Sequence, residues 1–266
     1  MRREHRHDHT RRDASQQPRL PAWPANRFGS PRAARPQGDG IRPSFAGCLY
    51  SQQPGVFETM QPSPIQQQEN HMSFERFTGE NAAMLLIDHQ VGTMGWVRSI
   101  PFEDMKRNAL MLAKVAKILR MPVVLTSSME EDAQGPLVSE LEEILPTEFG
   151  ARIKRIGIVN AMDDEHFATA VRTIGRKKLI LAGVTNDVCT VFPALSLVHE
   201  GYEVQTVADA GGSPSKMGDE MALRRMEQNG VTLTSTNQII AELAGNWTTS
   251  EGSQIVQEVV MEALQA

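Results

Sequence analysis

Cysteine and aromatic side chains are scarce in this chain of 266 residues: it has two cysteines, Cys48 and Cys189, and phenylalanine, tryptophan and tyrosine together amount to 5%. Two cysteines lying so far apart exclude a disulfide framework. No continuous apolar run reaches the roughly eighteen residues that a membrane-crossing helix needs, and no secretory apolar core opens the chain. No glycine fingerprint follows the first apolar run, which excludes an ordinary dinucleotide or flavin site, and no cofactor is expected. The expectation is a soluble cytoplasmic protein with no membrane partner.

Lysine is absent from residues 1–71, which hold ten arginines, six acids and nine of the fifteen prolines. A stretch of that composition buries too little apolar surface to offset its ordering entropy, so it reads as a disordered or spurious N-terminal extension. An organelle transit peptide is one alternative, but Glu4, Asp8 and Asp13 and the lack of an amphipathic stripe speak against it, and translation starting at Met72 or Met60 is preferred. The stretch carries plus four, so the rest carries minus nine of the total minus five. An acidic body of that kind excludes general nucleic-acid binding.

Residues 72–266 read as one domain with a sizeable core. Short apolar runs alternate with helical patterns. "AAMLLID" (82–88) predicts a strand buried on both faces, and "PFEDMKRNALMLAKVAKILR" (101–120) a helix with proline and acids at its start and bases at its end. "PVVLTSS", an extended piece at "ARIKRIGIV", "KKLILAG", "YEVQTVADA" and "VTLTST" continue the series, with helices between them. The pattern predicts an α/β fold: a three-layer, doubly wound, mostly parallel six-stranded sheet with a Rossmann-like arrangement. Its ligand crevice lies beyond the carboxyl ends of the strands. The final helix has no sheet left to cover, so a subunit contact is expected of it.

Chemistry is therefore sought at strand exits. Asp88 follows a continuous apolar run, where desolvation raises a carboxyl's pKa and suits it to accept a proton; a turn or cap aspartate is the equal alternative. Cys189, in "GVTNDVCT", falls near the first turn of a helix, where amides and the dipole favour a thiolate and an oxyanion. An inert buried cysteine is the commoner use of that residue, but its place at the crevice favours reactivity. In "RIKRIG", Lys154 and Arg155 point to opposite faces of an extended segment, so one of them can supply a cation to the crevice. His89 reads as a packed histidine, Asn186 and Asp187 as helix caps, Gln90, Trp96 and Phe192 as possible pocket walls, and "GGSPS" as no nucleotide loop.

Together, "LLIDHQ", "KRIGIVNAMDDEHFATAV" and "LILAGVTNDVCTVFPALSLVHEGYEVQTVADA" resemble the isochorismatase-like cysteine hydrolases, and within them the YcaC-type branch of unassigned substrate. The resemblance runs from about Phe77 to Trp247. It implies an aspartate–lysine–cysteine triad in which Asp88 takes the thiol proton and Cys189 attacks a small amide-like carbonyl to form a thioester. It implies oxyanion and substrate contacts from Thr185, Cys189 and Gln90, a cis peptide at Val184–Thr185, and a homo-oligomer. By register the triad cation falls on Arg155, a departure from the family's lysine, with Lys154 close behind. "LTSSMEEDAQGPL" lacks the aspartate and histidine pattern of the metal-binding nicotinamidase branch, so no metal is expected. The alternative to a cysteine hydrolase is a catalytically silent small-molecule-binding or redox-responsive oligomer on the same fold.

Overall fold

The computed structural model describes residues 75–265; the extension expected over 1–71 lies outside the described residues. Six parallel strands form one sheet in the order β3-β2-β1-β4-β5-β6, with β1 at Ala82–Ile87, β2 at Val123–Ser128, β3 at Ile153–Arg155, β4 at Lys178–Gly183, β5 at Glu203–Val207 and β6 at Thr232–Thr234. The two edge strands have three residues each, which limits the unpaired backbone offered to another sheet.

Alternation within an all-apolar strand explains why the sheet is covered on both sides. Ala82, Met84 and Leu86 of β1 enter one core, while Ala83, Leu85 and Ile87 enter the other. The first core is closed by α2 (Phe102–Ile118) and α8 (Thr236–Ala244), the second by α5 (Glu165–Thr173), α6 (Val191–His199) and α7 (Lys216–Gln228). Helix α2 begins behind Pro101, with Glu103 and Asp104 in its first turn and Lys117 in its last, all favourable to its dipole. Helix α5 is capped by Asp164, whose side chain accepts from the amides of His166 and Phe167 at 3.0 and 3.1 Å.

Two features were not anticipated. A short helix, α1 (Val91–Trp96), follows β1 directly; with no capping side chain and no charge in its six residues it left no start or stop signal in the sequence. Its position is set by contact instead, because a β-carbon on Gly92 would lie 1.9 Å from the Ala133 carbonyl oxygen. The C-terminal helix, which begins with α9 (Ser250–Ile255) and continues through a π turn at Val256–Val260, is not left without a surface to cover. Ile255 and Val259 are buried in the first core, and Glu262 pairs with Lys114 of α2 at 2.6 Å.

Strand order reverses between β1 and β4: the chain winds outward to β3 on one side and to β6 on the other. The carboxyl ends of these two central strands therefore open the crevice where α/β sheets of this type bind ligands.

Candidate active site

Asp88 is the first residue beyond β1, and its φ of 57° ends the extended run. Aspartate tolerates this left-handed conformation better than most residues, and its side chain here is 1% exposed. Arg155, the last residue of β3, is 2% exposed. Its Nη2 donates to both carboxylate oxygens of Asp88 at 2.5 Å, its Nε to Thr126 Oγ1 at 3.0 Å, and its Nη1 to the Ile158 carbonyl at 2.7 Å. All three nitrogens of the buried guanidinium are thus engaged, as a charge removed from water requires.

Cys189 arrives from the neighbouring strand. After β4 the Val184–Thr185 peptide is cis, and Asn186–Thr190 form a π turn that leads into α6. Cys189 lies beside Asp88 and Thr185 on the wall of one cavity, near enough for the Asp88 carboxylate and the Thr185 amide to shift the thiol's titration. Burial pushes the thiol well above the ordinary cysteine range, the Asp88 charge pushes it further, and Arg155 and the Thr185 amide only partly offset this. The expectation of a resting thiolate is corrected accordingly: burial and the Asp88 charge favour the protonated sulfur. Burial likewise raises the Asp88 carboxyl, against the opposing pull of Arg155. A carboxylate more basic than a free one, beside a thiol, is placed to receive its proton.

Of the two cations weighed in the sequence, the structure places Arg155 beside Asp88 and Lys154 elsewhere. Lys154 is half exposed and pairs with Glu130 at 2.8 Å, on the opposite face of β3. Glu130 also binds Arg152 at 2.6 Å and accepts from Ser127; chiefly through the Arg152 hydrogen bond its carboxyl is pulled down to about 2. Gln90 is fully buried and does not reach the cavity: its side chain donates to the carbonyls of Ser128 and Gly135 and accepts from the Ser128 amide. It braces the β2 exit and does not line the cavity, which corrects the expected substrate contact. Thr185, in contrast, lines the cavity beside Cys189.

His89 is packed, as read. It lies 2.8 Å from the Ala210 carbonyl through Nε2, and complete burial lowers its pKa to about 4, so it is neutral at physiological pH. Asn186 is no cap: its Nδ2 donates to the Ala208 carbonyl and to Asp219 Oδ1, both at 3.1 Å, tying the turn that carries Cys189 to α7. The "GGSPS" segment serves the same joint, since Ser213 Oγ donates to Asp219 Oδ1 at 2.8 Å. A β-carbon on Gly211 would sit 2.3 Å from the Gly183 carbonyl oxygen, so glycine is needed for this close approach. Phe192 packs in the second core beneath Arg225 and is not a cavity wall.

Asp88, Arg155, Thr185 and Cys189 share a cavity of about 290 Å³. Trp96, anticipated from the sequence, forms part of its wall; Met129, Ile158, Val159, Val188 and Asp187 were not anticipated. Trp96, Met129, Val159 and Val188 are all more than a third exposed, and exposed apolar side chains gathered at strand exits are the signal that would have found the mouth. Among the described residues, no three histidine, cysteine or acidic side chains come together as a metal-binding group, and no helix is long and apolar enough to cross a membrane.

The parallel sheet brings a thiol and a carboxylate to its central exits and a guanidinium to them from the edge strand β3. The chain belongs to the isochorismatase family, whose domain matches residues 82–238. It is 40% identical over 174 residues to the probable hydrolase YcaC of Escherichia coli, covering 65% of this chain and 83% of that protein. The crystal structure of the E. coli protein, described as an octameric hydrolase of unknown specificity, aligns with a TM-score of 0.68 at 36% identity, over 73% of this chain and 95% of the other. YcaC from Pseudomonas aeruginosa, solved with hexane-2,5-diol and covalent acrylamide, aligns with a TM-score of 0.67 at 34% identity, over 73% and 99%.

Proposed function

We propose that this isochorismatase-family hydrolase cleaves a small amide-like C–N bond through Cys189. The observation that carries the reading is that Cys189 shares one cavity with a buried Asp88 that is itself held by Arg155. Asp88 takes the thiol proton as the sulfur attacks the carbonyl carbon, and Arg155 keeps Asp88 ionised in the resting site. The amides of Thr185 and Cys189 are the donors assigned to the developing oxyanion. The proton then passes from Asp88 to the leaving nitrogen, leaving an acyl thioester that water hydrolyses to regenerate the thiol. Acrylamide, found covalently bound in the P. aeruginosa neighbour, is a carboxamide that reacts with thiols, which accords with this reading. The same reading takes the chain as a homo-oligomer, supported by the octameric E. coli neighbour.

The test is a panel of small primary amides with ammonia release as readout, followed by intact mass after acid quench during turnover. Hydrolysis accompanied by a transient adduct at Cys189 equal to the acyl group is the expected result. Binding of the same amides, seen as thermal stabilisation without ammonia release, would support instead the silent binding protein.

A further inference from the structure

The charges around the cavity say which acyl groups it admits. Three ionisable groups besides the thiol line it: Asp88, Arg155 and Asp187. Arg155 is matched by Asp88, with each of its nitrogens already bonded. Asp187 has no salt-bridge partner among the described residues; its Oδ1 is buried with no hydrogen-bond donor, and its Oδ2 lies beside Gly218 in the first turn of α7. No lysine, and no arginine other than Arg155, lines the cavity. Asp88 and Arg155 offset each other, which leaves Asp187 without a salt-bridge partner in a cavity whose walls include the apolar Trp96, Met129, Ile158, Val159 and Val188.

We propose that this site selects uncharged substrates with a short apolar acyl group and rejects those bearing a carboxylate, with Asp187 as the residue that sets the selection. The proposal rests on the reading of Cys189 as nucleophile. A carboxylate entering the cavity would lose its hydration, meet Asp187, and find no free cation to pair with. An uncharged acyl group loses little hydration and gains apolar contact. Size adds a limit: about 290 Å³ equals the liquid volume of about ten water molecules, so the group accommodated is small.

Two alkylating reagents that differ only in charge, iodoacetamide and iodoacetate, test this without a known substrate. In each reaction the Cys189 sulfur forms the new C–S bond, iodide leaves, and the thiol proton passes to Asp88 or to solvent. Labelling rates at the Cys189 peptide are measured by mass spectrometry on the full chain at one pH and ionic strength, and each is divided by that reagent's rate with 2-mercaptoethanol. The expected ratio favours iodoacetamide at Cys189 by at least tenfold, and Asp187→Asn is expected to remove most of that preference. Labelling at Cys189 with a ratio near one, or with iodoacetate ahead, overturns the selection while leaving the nucleophile in place. A preference fully retained in Asp187→Asn overturns the assignment to Asp187. Failure of both reagents to label native Cys189 overturns the nucleophile, and the selection with it. The wild-type ratio stands whether or not the variant folds.

Discussion

Cys189→Ala is expected to lower kcat/KM on any amide the protein hydrolyses by at least about ten-thousand-fold, since removing the nucleophile of a coupled site costs about as much as removing the whole. The fold should survive, because Cys189 is partly buried at the edge of the second core and a shorter apolar side chain there costs about 1 kcal/mol. Cys189→Ser is a sterner control. It keeps a proton-bearing nucleophile beside Asp88 but replaces the thiol with a far weaker acid, so the residual rate should remain close to that of the alanine variant. Steady-state turnover beside a thermal melt separates this from general damage: loss of rate without loss of folded protein is the expected pair of results.

Arg155→Met has the second large effect, and it appears in both stability and rate. Taking one partner from a buried ion pair leaves the other charge uncompensated, at a cost of about 3–5 kcal/mol. Thr126 Oγ1 and the Ile158 carbonyl also lose a donor. With the guanidinium gone, burial acts unopposed on Asp88 and its carboxyl rises further. The sign of the pH dependence follows. Below the unfolded carboxyl's pKa, about 3.9, Asp88 is protonated in both states and contributes no charge penalty. As pH rises through the window up to the variant's raised folded value, the unfolded chain ionises first and the variant loses stability relative to the wild type. The stability deficit should therefore widen from pH 4 upward in urea melts. The acid limb of kcat/KM should move to higher pH, because Asp88 must lose its proton before it can serve as base. Arg155→Lys keeps the charge but not the fork, and should fall between the two.

Much of this architecture was legible because β1 is apolar at every position and β4 at every position after Lys178, a pattern that only a strand covered on both faces requires. Their central place in the sheet then put Asp88 and the cysteine turn at one crevice. The choice between Lys154 and Arg155 was not settled by composition. Alternation allowed one of them inward, and the decision came from Glu130, Arg152 and Ser127, which hold Lys154 on the outer face. Gln90 misled because a buried amide beside a catalytic-looking aspartate reads like a substrate contact, whereas its donors and acceptor are consumed by backbone at Ser128 and Gly135. Helix α1 was illegible for want of caps and charges. The state of the sulfur was misjudged for a different reason: helix-terminal amides are visible in a sequence, while the extent of burial and the nearness of the Asp88 charge depend on strands remote in the chain.

The account turns on Asp88 acting as a base toward the Cys189 thiol, and the iodoacetamide labelling rate of Asp88→Asn at pH 7 tests it most directly. Charge alone predicts acceleration, because removing the negative group beside the sulfur favours the thiolate. Proton transfer predicts the opposite: labelling slowed by about a hundredfold or more, in a variant shown by its melt to be folded. Labelling as fast as the wild type, or faster, would contradict the role given to Asp88.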